Sequence, residues 1–125
     1  TKATFMPDHS IFKDIQGFDY GRIKRRLKEL AYLTGGVKII LEDRRQGHEK
    51  KHEEFHEKGG VAAFAHSIAS EGKHLYEKPM LVKGTEENIE VEVGMMHTSG
   101  YGQMVLTYAK MITNRDGGTH LTGFK

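Results

Sequence analysis

The clearest pattern along the chain is an amphipathic stretch over residues 18–33. Its apolar residues recur at helical spacing and form one stripe: Ile23, Leu27, Leu30 and Ala31. Asp19 precedes them, and aspartate is a preferred N-cap because its carboxylate accepts a hydrogen bond from an amide of the first turn. Gly35 and Gly36 can adopt the left-handed conformation that ends many helices. The pattern therefore predicts a helix over residues 18–33.

Two extended segments are predicted around this helix. Residues 1–5 have the pattern of a strand, which Pro7 interrupts. Residues 37–42 alternate, with Val37, Ile39 and Leu41 on one face. A hairpin turn at residues 43–47 then leads into a polar return over residues 48–56. Because the chain opens within a strand and closes at the start of a helix, we expect a segment of a longer protein.

The second half begins at Gly59–Gly60, which separates a charged segment from another amphipathic stretch. This stretch predicts a helix over residues 61–70 that ends at Gly72. Strands are predicted over residues 80–83, 89–97 and 103–112, with turns at 84–88 and 98–102. Residues 113–120 predict a glycine loop that leads into a last helix, with Thr119 as its N-cap. This order of elements predicts an α+β fold, a mixed sheet with packed helices.

The composition is that of a folded globular protein, with 37% hydrophobic residues, 29% charged residues and a net charge of +2. Such a charge does not by itself indicate nucleic-acid binding. No apolar run approaches the ~20 residues of a membrane-spanning helix, so we expect no membrane contact. The absence of cysteine excludes a disulfide scaffold, thiol catalysis and cysteine-ligated metals, and it favours a cytoplasmic protein.

Three histidines at four-residue intervals raise the question of a metal site: His48, His52 and His56. On a helix, neighbouring histidines can share one ion. On the predicted strand they lie about 13 Å apart, far beyond the reach of ~2 Å metal bonds. Lysine, arginine and glutamate are mixed through the same segment, which is typical of a solvated hairpin. We favour that interpretation, with a zinc-binding domain as an alternative.

A dense basic run lies on the first predicted helix: Arg22, Lys24, Arg25, Arg26 and Lys28. Such a run attracts phosphate groups. However, the same helix must bury its apolar stripe, and basic residues on the remaining faces are typical of any amphipathic surface helix. We therefore favour a solvated helix face over a nucleic-acid contact.

The glycine loop has a loose likeness to a phosphate cradle, through Asp116, Gly117, Gly118, Thr119 and His120. It lacks the Gly-Lys-Ser/Thr ending of a P-loop and the spacing of a dinucleotide-binding fingerprint. Paired glycines more often indicate a tight turn or a close backbone approach. The residues themselves predict no complete active site, no catalytic residue and no metal ligand.

Several short sequence strings, however, occur along the chain in a characteristic order. They are Thr1, Phe5, Pro7-Asp8 and Ile11-Phe12; Phe18-Asp19-Tyr20; Arg26-Leu27-Lys28-Glu29-Leu30-Ala31-Tyr32-Leu33; Gly59-Gly60-Val61 with Phe64; Val91-Glu92-Val93; and Gly117-Gly118-Thr119-His120-Leu121 with Gly123-Phe124. The ordered set closely resembles the B subunits of bacterial type II DNA topoisomerases, the family of DNA gyrase B and its topoisomerase IV counterpart. The resemblance covers essentially the whole chain, and the last string is the most specific.

The resemblance implies two parts and one cofactor-binding residue. Residues 1–58 would be the C-terminal tail of a GHKL-type ATPase domain, and residues 59–125 the N-terminal half of a transducer domain. The implied cofactors of the parent enzyme are ATP and magnesium. Thr1 matches the family threonine whose hydroxyl helps to bind adenine, directly or through water. The other nucleotide-binding and catalytic elements would lie before Thr1 or after Lys125, so no catalytic or metal-binding residue is implied here.

The implied function is that of a fragment, inactive alone, which relays ATP binding and dimer closure to DNA strand passage. The implied partners are DNA, an A-type topoisomerase subunit and a second B subunit. Gly59–Gly60 is the predicted hinge-adjacent point, because glycine accepts backbone changes at little cost. The alternative is a free-standing, non-catalytic interaction module built from the same half-domain.

The chain departs from the family pattern at Lys110 and Met111. The family usually has paired asparagines at these positions, before the Gly-Gly-Thr-His string. The pattern still predicts a strand over residues 103–112. Any polar role that the two asparagines have in the family would be lost in this chain.

Overall fold

A computed structural model of the chain describes residues 1–13, 17–69 and 73–125. Within these ranges there are three helices: α1 Tyr20–Leu33, α2 Gly60–Ile68 and α3 Thr119–Phe124. There are also three antiparallel hairpins: β1 Lys38–Asp43 with β2 Lys51–His56, β3 Met80–Glu86 with β4 Ile89–Met95, and β5 Tyr108–Ala109 with β6 Ile112–Thr113. The predicted α+β class is confirmed.

The first helix forms as its sequence predicts. The Asp19 carboxylate accepts a hydrogen bond of 3.0 Å from the Arg22 amide, so Asp19 is the N-cap and the helix begins at Tyr20. The helix ends at Leu33, and Gly35 and Gly36 follow with φ values of +31° and +89°. Phe18, predicted to lie in the helix, stands outside it because the cap residue has an extended backbone.

The hairpin of β1 and β2 packs against α1 and supplies part of the core. Ile39 pairs with Phe55, and residues 44–50 connect the strands, so Asp43, predicted to begin the turn, is the last residue of β1. Ile39 and Leu41 are half-buried, whereas Val37 precedes the strand and is exposed. Among the described residues, the buried apolar side chains are Ala31, Tyr32 and Phe55. The core therefore lies where α1 meets this hairpin.

The strand predicted for residues 1–5 is wrong. Residues 1–8 adopt no secondary structure, and Phe5 and Met6 are exposed. The physical reason is that a strand needs a neighbouring backbone to bond to, and the described strands pair with one another and not with this segment. Phe5 still has a partner, because its ring meets that of Phe18 edge to face at 5.2 Å.

The second helix packs on the next hairpin. α2 begins at Gly60, one residue before the predicted start, and ends at Ile68. The predicted end at Ser70 and Gly72 lies outside the described residues. The turn predicted at residues 84–88 is too long, because β3 continues to Glu86 and only Glu87 and Asn88 make the turn. Both have positive φ, as the type I′ two-residue hairpin turn requires.

The last predicted strand, over residues 103–112, is also wrong. The chain instead forms the short β5–β6 hairpin, with Lys110 and Met111 as its two turn residues at φ values of +48° and +72°. No glycine or asparagine at positions 110 and 111 indicates that the chain turns back here. The apolar run therefore predicts one continuous strand. These two positions therefore set the backbone of a turn, a role in which asparagine is favoured by its tolerance of positive φ.

The start of the last helix differs in one residue from its prediction. Gly118, with φ of +86°, is the N-cap of α3, and Thr119 is the first helical residue. The left-handed backbone before Thr119 suits glycine, so Thr119 cannot occupy the cap position. None of the helices in the described ranges has the length and apolar character needed to cross a membrane.

Candidate functional site

Thr1, the one residue implied to bind nucleotide, is exposed at the start of the unpaired segment 1–8. The segment passes the β1–β2 hairpin, and Lys2 lies close enough to Glu42 to help lower the pKa of its carboxyl, after the larger effect of Arg44. An adenine contact by Thr1 stays a prediction.

The three spaced histidines lie in the β1–β2 hairpin and not on a helix. His48 lies in the turn, while His52 and His56 belong to β2. The His52 ring lies 3.7 Å from a carboxylate oxygen of Glu42 and 3.4 Å from one of Glu54. Within residues 1–13, 17–69 and 73–125, no three His, Asp or Glu side chains have the arrangement of a metal site. This segment has the mixed ion pairs of a solvated hairpin.

The basic run on α1 divides between two faces of the helix. Lys24 pairs with Glu53 of β2 at 2.5 Å, and this hydrogen bond raises the pKa of Lys24. Arg26 pairs with Glu29 one turn along the helix at 2.8 Å. The remaining three cations lie on the helix surface: Arg22, Arg25 and Lys28. Two of the five cations in the basic run therefore form ion pairs within the chain.

A polar cluster joins α1 to the β5–β6 hairpin, and we call it the α1–hairpin junction: Arg26, Glu29, Tyr108, Met111 and Thr113. The Tyr108 hydroxyl donates a hydrogen bond to Oε1 of Glu29. The Arg26 guanidinium pairs with Oε2 of Glu29 and donates to the carbonyl oxygen of Met111 at 2.6 Å. It also reaches the Thr113 hydroxyl at 3.4 Å. One carboxylate and one guanidinium thus connect the helix to both strands of the hairpin and to its turn.

The protonation state of Tyr108 follows from its surroundings. Burial raises the pKa of the Tyr108 hydroxyl above its usual range, and the hydrogen bond to Glu29 adds to the effect. Tyr108 therefore remains a proton-bearing donor at neutral pH, and the Glu29 carboxylate can accept from it and from Arg26. Bonds of this kind, with one ionised partner, are stronger than bonds between neutral groups.

An apolar row of three rings runs beside the junction. The rings of Tyr32 and Phe64 stack with centroids 5.3 Å apart, and Phe64 lies 6.3 Å from the ring of Tyr108. Tyr32 belongs to α1, Phe64 to α2 and Tyr108 to β5. The row therefore packs α1 against α2 and α2 against β5, and Tyr108 takes part in both the apolar and the polar contacts.

The glycine loop has the geometry of a tight turn. Gly117 and Gly118 have φ values of +83° and +86°, and a Cβ on Gly117 would come within 2.7 Å of the Leu121 side chain. The Thr107 hydroxyl donates to the carbonyl oxygen of Asn114 at 2.8 Å, which ties the loop to the base of the β5–β6 hairpin. Both glycines are therefore explained by backbone conformation and close packing, as the sequence indicates.

Most of the junction carries no signal in the sequence. In the sequence, Arg26 is one of several cations on the predicted helix. No local pattern distinguishes Glu29 or Tyr108 from other polar residues. The Arg26–Glu29 spacing on a helix is a signal for a local ion pair. Nothing local links Glu29 to Tyr108, because the two residues are 79 positions apart.

Comparison with known proteins gives consistent matches. The family model described as DNA gyrase B matches residues 60–125, more than half of the chain. The chain belongs to the DNA gyrase B family. Across its full length it is 52% identical to the B subunit of DNA gyrase from Thermus thermophilus and 38% identical to that from Borrelia hermsii. It spans 19% of the length of each of these relatives.

Solved structures of gyrase B share the fold. The 43K ATPase domain of Thermus thermophilus gyrase B, in complex with an aminocoumarin, superposes with a TM-score of 0.82 at 51% identity, covering 95% of this chain and 31% of that one. The B-subunit of the DNA gyrase from Myxococcus xanthus gives a TM-score of 0.83 at 27% identity, covering 94% of this chain and 33% of that one. These matches to gyrase subunits do not favour the alternative of a free-standing interaction module.

Proposed function

We propose that this gyrase B chain works within an ATP-dependent type II DNA topoisomerase, where it relays nucleotide binding and B-subunit dimerisation to DNA strand passage. Family membership supports the enzyme class. The packing of α1 against α2 and the β5–β6 hairpin is the observation that carries the relay, since it joins residues 1–58 directly to residues 59–125. On this proposal the first range is the end of a GHKL-type ATPase domain and the second begins the transducer domain.

ATP would act through a larger site to which this chain contributes one residue. Thr1 is exposed, and its hydroxyl can exchange hydrogen bonds with adenine or with a bridging water. Magnesium prefers carboxylate and phosphate oxygens, and the described residues do not bring three carboxylates together. Residues 1–13, 17–69 and 73–125 therefore do not fit a magnesium site, and no hydrolytic step is assigned to them.

The partners of the proposed enzyme are DNA, an A-type topoisomerase subunit and a second B subunit, in the cytoplasm. Plasmid topology measures the activity of the whole assembly. The full-length protein, mixed with its A-type subunit, is expected to change the linking number of plasmid DNA when ATP is added. An assembly that binds ATP and DNA but leaves the linking number unchanged would contradict the proposal.

A pair of variants tests the role of Thr1. Thr1→Ala removes the hydroxyl and is expected to raise the KM for ATP by about fivefold, the usual effect of losing one hydrogen bond. Thr1→Ser keeps the hydroxyl and is the matched control. Equal KM values for Thr1→Ala and the unaltered protein would exclude an adenine contact.

A further inference from the structure

We infer that Arg26, Glu29 and Tyr108 are the positioning residues that couple α1 to the β5–β6 hairpin during the strand-passage cycle. The inference rests on the proposed function and names the contacts through which the relay works. It concerns only the transmission of a change from α1 to the hairpin, because none of the three residues is proposed to contact the nucleotide.

The first argument is where the polar contacts fall. Among the described residues, every side-chain hydrogen bond that crosses from residues 1–58 to residues 59–125 belongs to the α1–hairpin junction. The other contacts across this boundary include the aromatic row, whose burial of apolar area constrains orientation less narrowly than hydrogen bonds do. The junction therefore fixes the orientation of the hairpin relative to α1.

The second argument is the chemistry of Arg26. A guanidinium is planar and presents its donors in a fixed fork, so it can hold a carboxylate and a carbonyl oxygen in one geometry. Here it holds the Glu29 carboxylate on α1 and the Met111 carbonyl oxygen in the turn. The Met111 backbone is itself left-handed, at φ of +72°, so the guanidinium binds a turn with an unusual conformation. A lysine ammonium would supply charge without this fixed geometry.

The third argument is that the hairpin is too short to hold its own position. Each of its strands has two residues. Isolated two-stranded hairpins are at best marginally stable, so the hairpin depends on its hydrogen bonds to α1 and on the contact of Tyr108 with Phe64 of α2. The hairpin is connected onward, because the Asn114 amide donates to the Thr107 carbonyl oxygen at 2.8 Å and ties in the loop before α3.

Coupling of this kind is measured as the number of DNA strand passages per ATP molecule hydrolysed. The test uses the full-length protein assembled with its A-type subunit and compares Tyr108→Phe with the unaltered enzyme. Tyr108→Phe removes one hydroxyl and keeps the ring in the aromatic row. We expect about a fivefold to tenfold loss of passages per ATP, with the KM for ATP within about twofold of the original.

The chain offers a matched control. The Tyr76 hydroxyl accepts a hydrogen bond from the His97 amide at 3.0 Å and also contacts the His97 ring, so both partners lie within residues 59–125. Tyr76→Phe therefore deletes an equivalent group without touching the junction, and it should keep its passages per ATP. Arg26→Gln should behave as Tyr108→Phe does, and Arg26→Lys should recover only part of the loss.

The outcomes separate the inference from the function on which it rests. If the unaltered assembly shows no ATP-dependent change in linking number, the proposed function fails and the inference fails with it. If the unaltered assembly is active and Tyr108→Phe keeps its full number of passages per ATP, only the inference is overturned. A proportional fall of ATP turnover and strand passage in Tyr108→Phe, together with a lower melting temperature, would assign the junction a merely structural role and also overturn it.

Discussion

Gly94 of β4 lies directly against Val61 of α2. A Cβ placed on Gly94 would come within 2.5 Å of the Val61 carbonyl oxygen and 3.1 Å of the Val61 side chain. The φ of Gly94 is not in the left-handed region, so glycine is required here for space and not for conformation. The helix therefore rests on the backbone of the strand at this point.

The first prediction follows from this contact. Gly94→Ala should destabilise the protein by about 1–3 kcal/mol, because the added methyl must displace backbone atoms of α2. Gly84→Ala is the matched control, since Gly84 lies in β3 with open space around it. The control should be neutral or slightly stabilising. Melting temperatures of the two variants compare them, and equal shifts would show that α2 does not rest on β4.

The second prediction concerns the left-handed turn at Lys110 and Met111. Met111→Gly should stabilise the protein by about 1 kcal/mol, because glycine adopts positive φ without the penalty that a side chain incurs. The hydrogen bond from Arg26 goes to the backbone carbonyl oxygen and is kept. Met111→Ala removes the side chain beyond Cβ but retains the penalty, so it controls for the loss of those atoms. Denaturant unfolding should place Met111→Gly above both the original and Met111→Ala, and a lower midpoint for Met111→Gly would refute the assignment.

The third prediction tests the hinge hypothesis at Gly59–Gly60. Gly60 has φ of +58°, and a Cβ on Gly59 would come within 2.5 Å of the Ala63 Cβ. Alanine at either position therefore strains the start of α2, by about 1 kcal/mol for the positive φ alone. Asparagine tolerates positive φ better than alanine does, so Gly60→Asn is the variant to compare with Gly60→Ala.

A hinge-adjacent role predicts that Gly60→Ala and Gly60→Asn both reduce supercoiling more than they reduce ATP binding. Local strain alone predicts that Gly60→Asn recovers most of the activity that Gly60→Ala loses. Measuring both activities for both variants distinguishes these cases, and recovery by asparagine would count against the hinge.

The fourth prediction concerns acid stability. Hydrogen bonds from Arg45 lower the pKa of Asp43 from 3.8 to about 2. Because the folded-state pKa lies below the unfolded value, the stabilisation is fully present above pH 3.8 and is lost as the pH falls toward 2. Arg45→Gln should return the Asp43 pKa toward its ordinary value, and NMR titration of the Asp43 carboxyl measures the shift. An ordinary Asp43 pKa in the unaltered protein would contradict the paired geometry.

Local patterns are enough to predict the elements whose causes are local. The apolar stripe and Asp19 place α1, and alternation followed by a polar return places the β1–β2 hairpin. The strand predicted at residues 1–5 fails because pairing depends on a neighbouring backbone, which the residues themselves do not specify. The strand at residues 103–112 fails because Lys110 and Met111 occupy a turn in which glycine or asparagine is the usual signal.

The candidate site is predictable only in part, for a related reason. The glycine loop carries its conformation in two adjacent residues, and the sequence indicates it correctly. The junction between Glu29 and Tyr108 depends on the packing of α1 against a hairpin formed far along the chain. No periodicity connects such positions, so only the folded chain reveals the pair.

Amide hydrogen exchange of residues 108–113, with and without a non-hydrolysable ATP analogue, tests most directly whether this chain transmits nucleotide binding. In the full-length protein we expect the bound analogue to slow exchange in the β5–β6 hairpin by about fivefold, through the contacts with α1. This response should persist in Tyr76→Phe and disappear in Tyr108→Phe. Unchanged exchange in the hairpin while the analogue is bound, or an equal response in Tyr108→Phe, would contradict transmission through the junction.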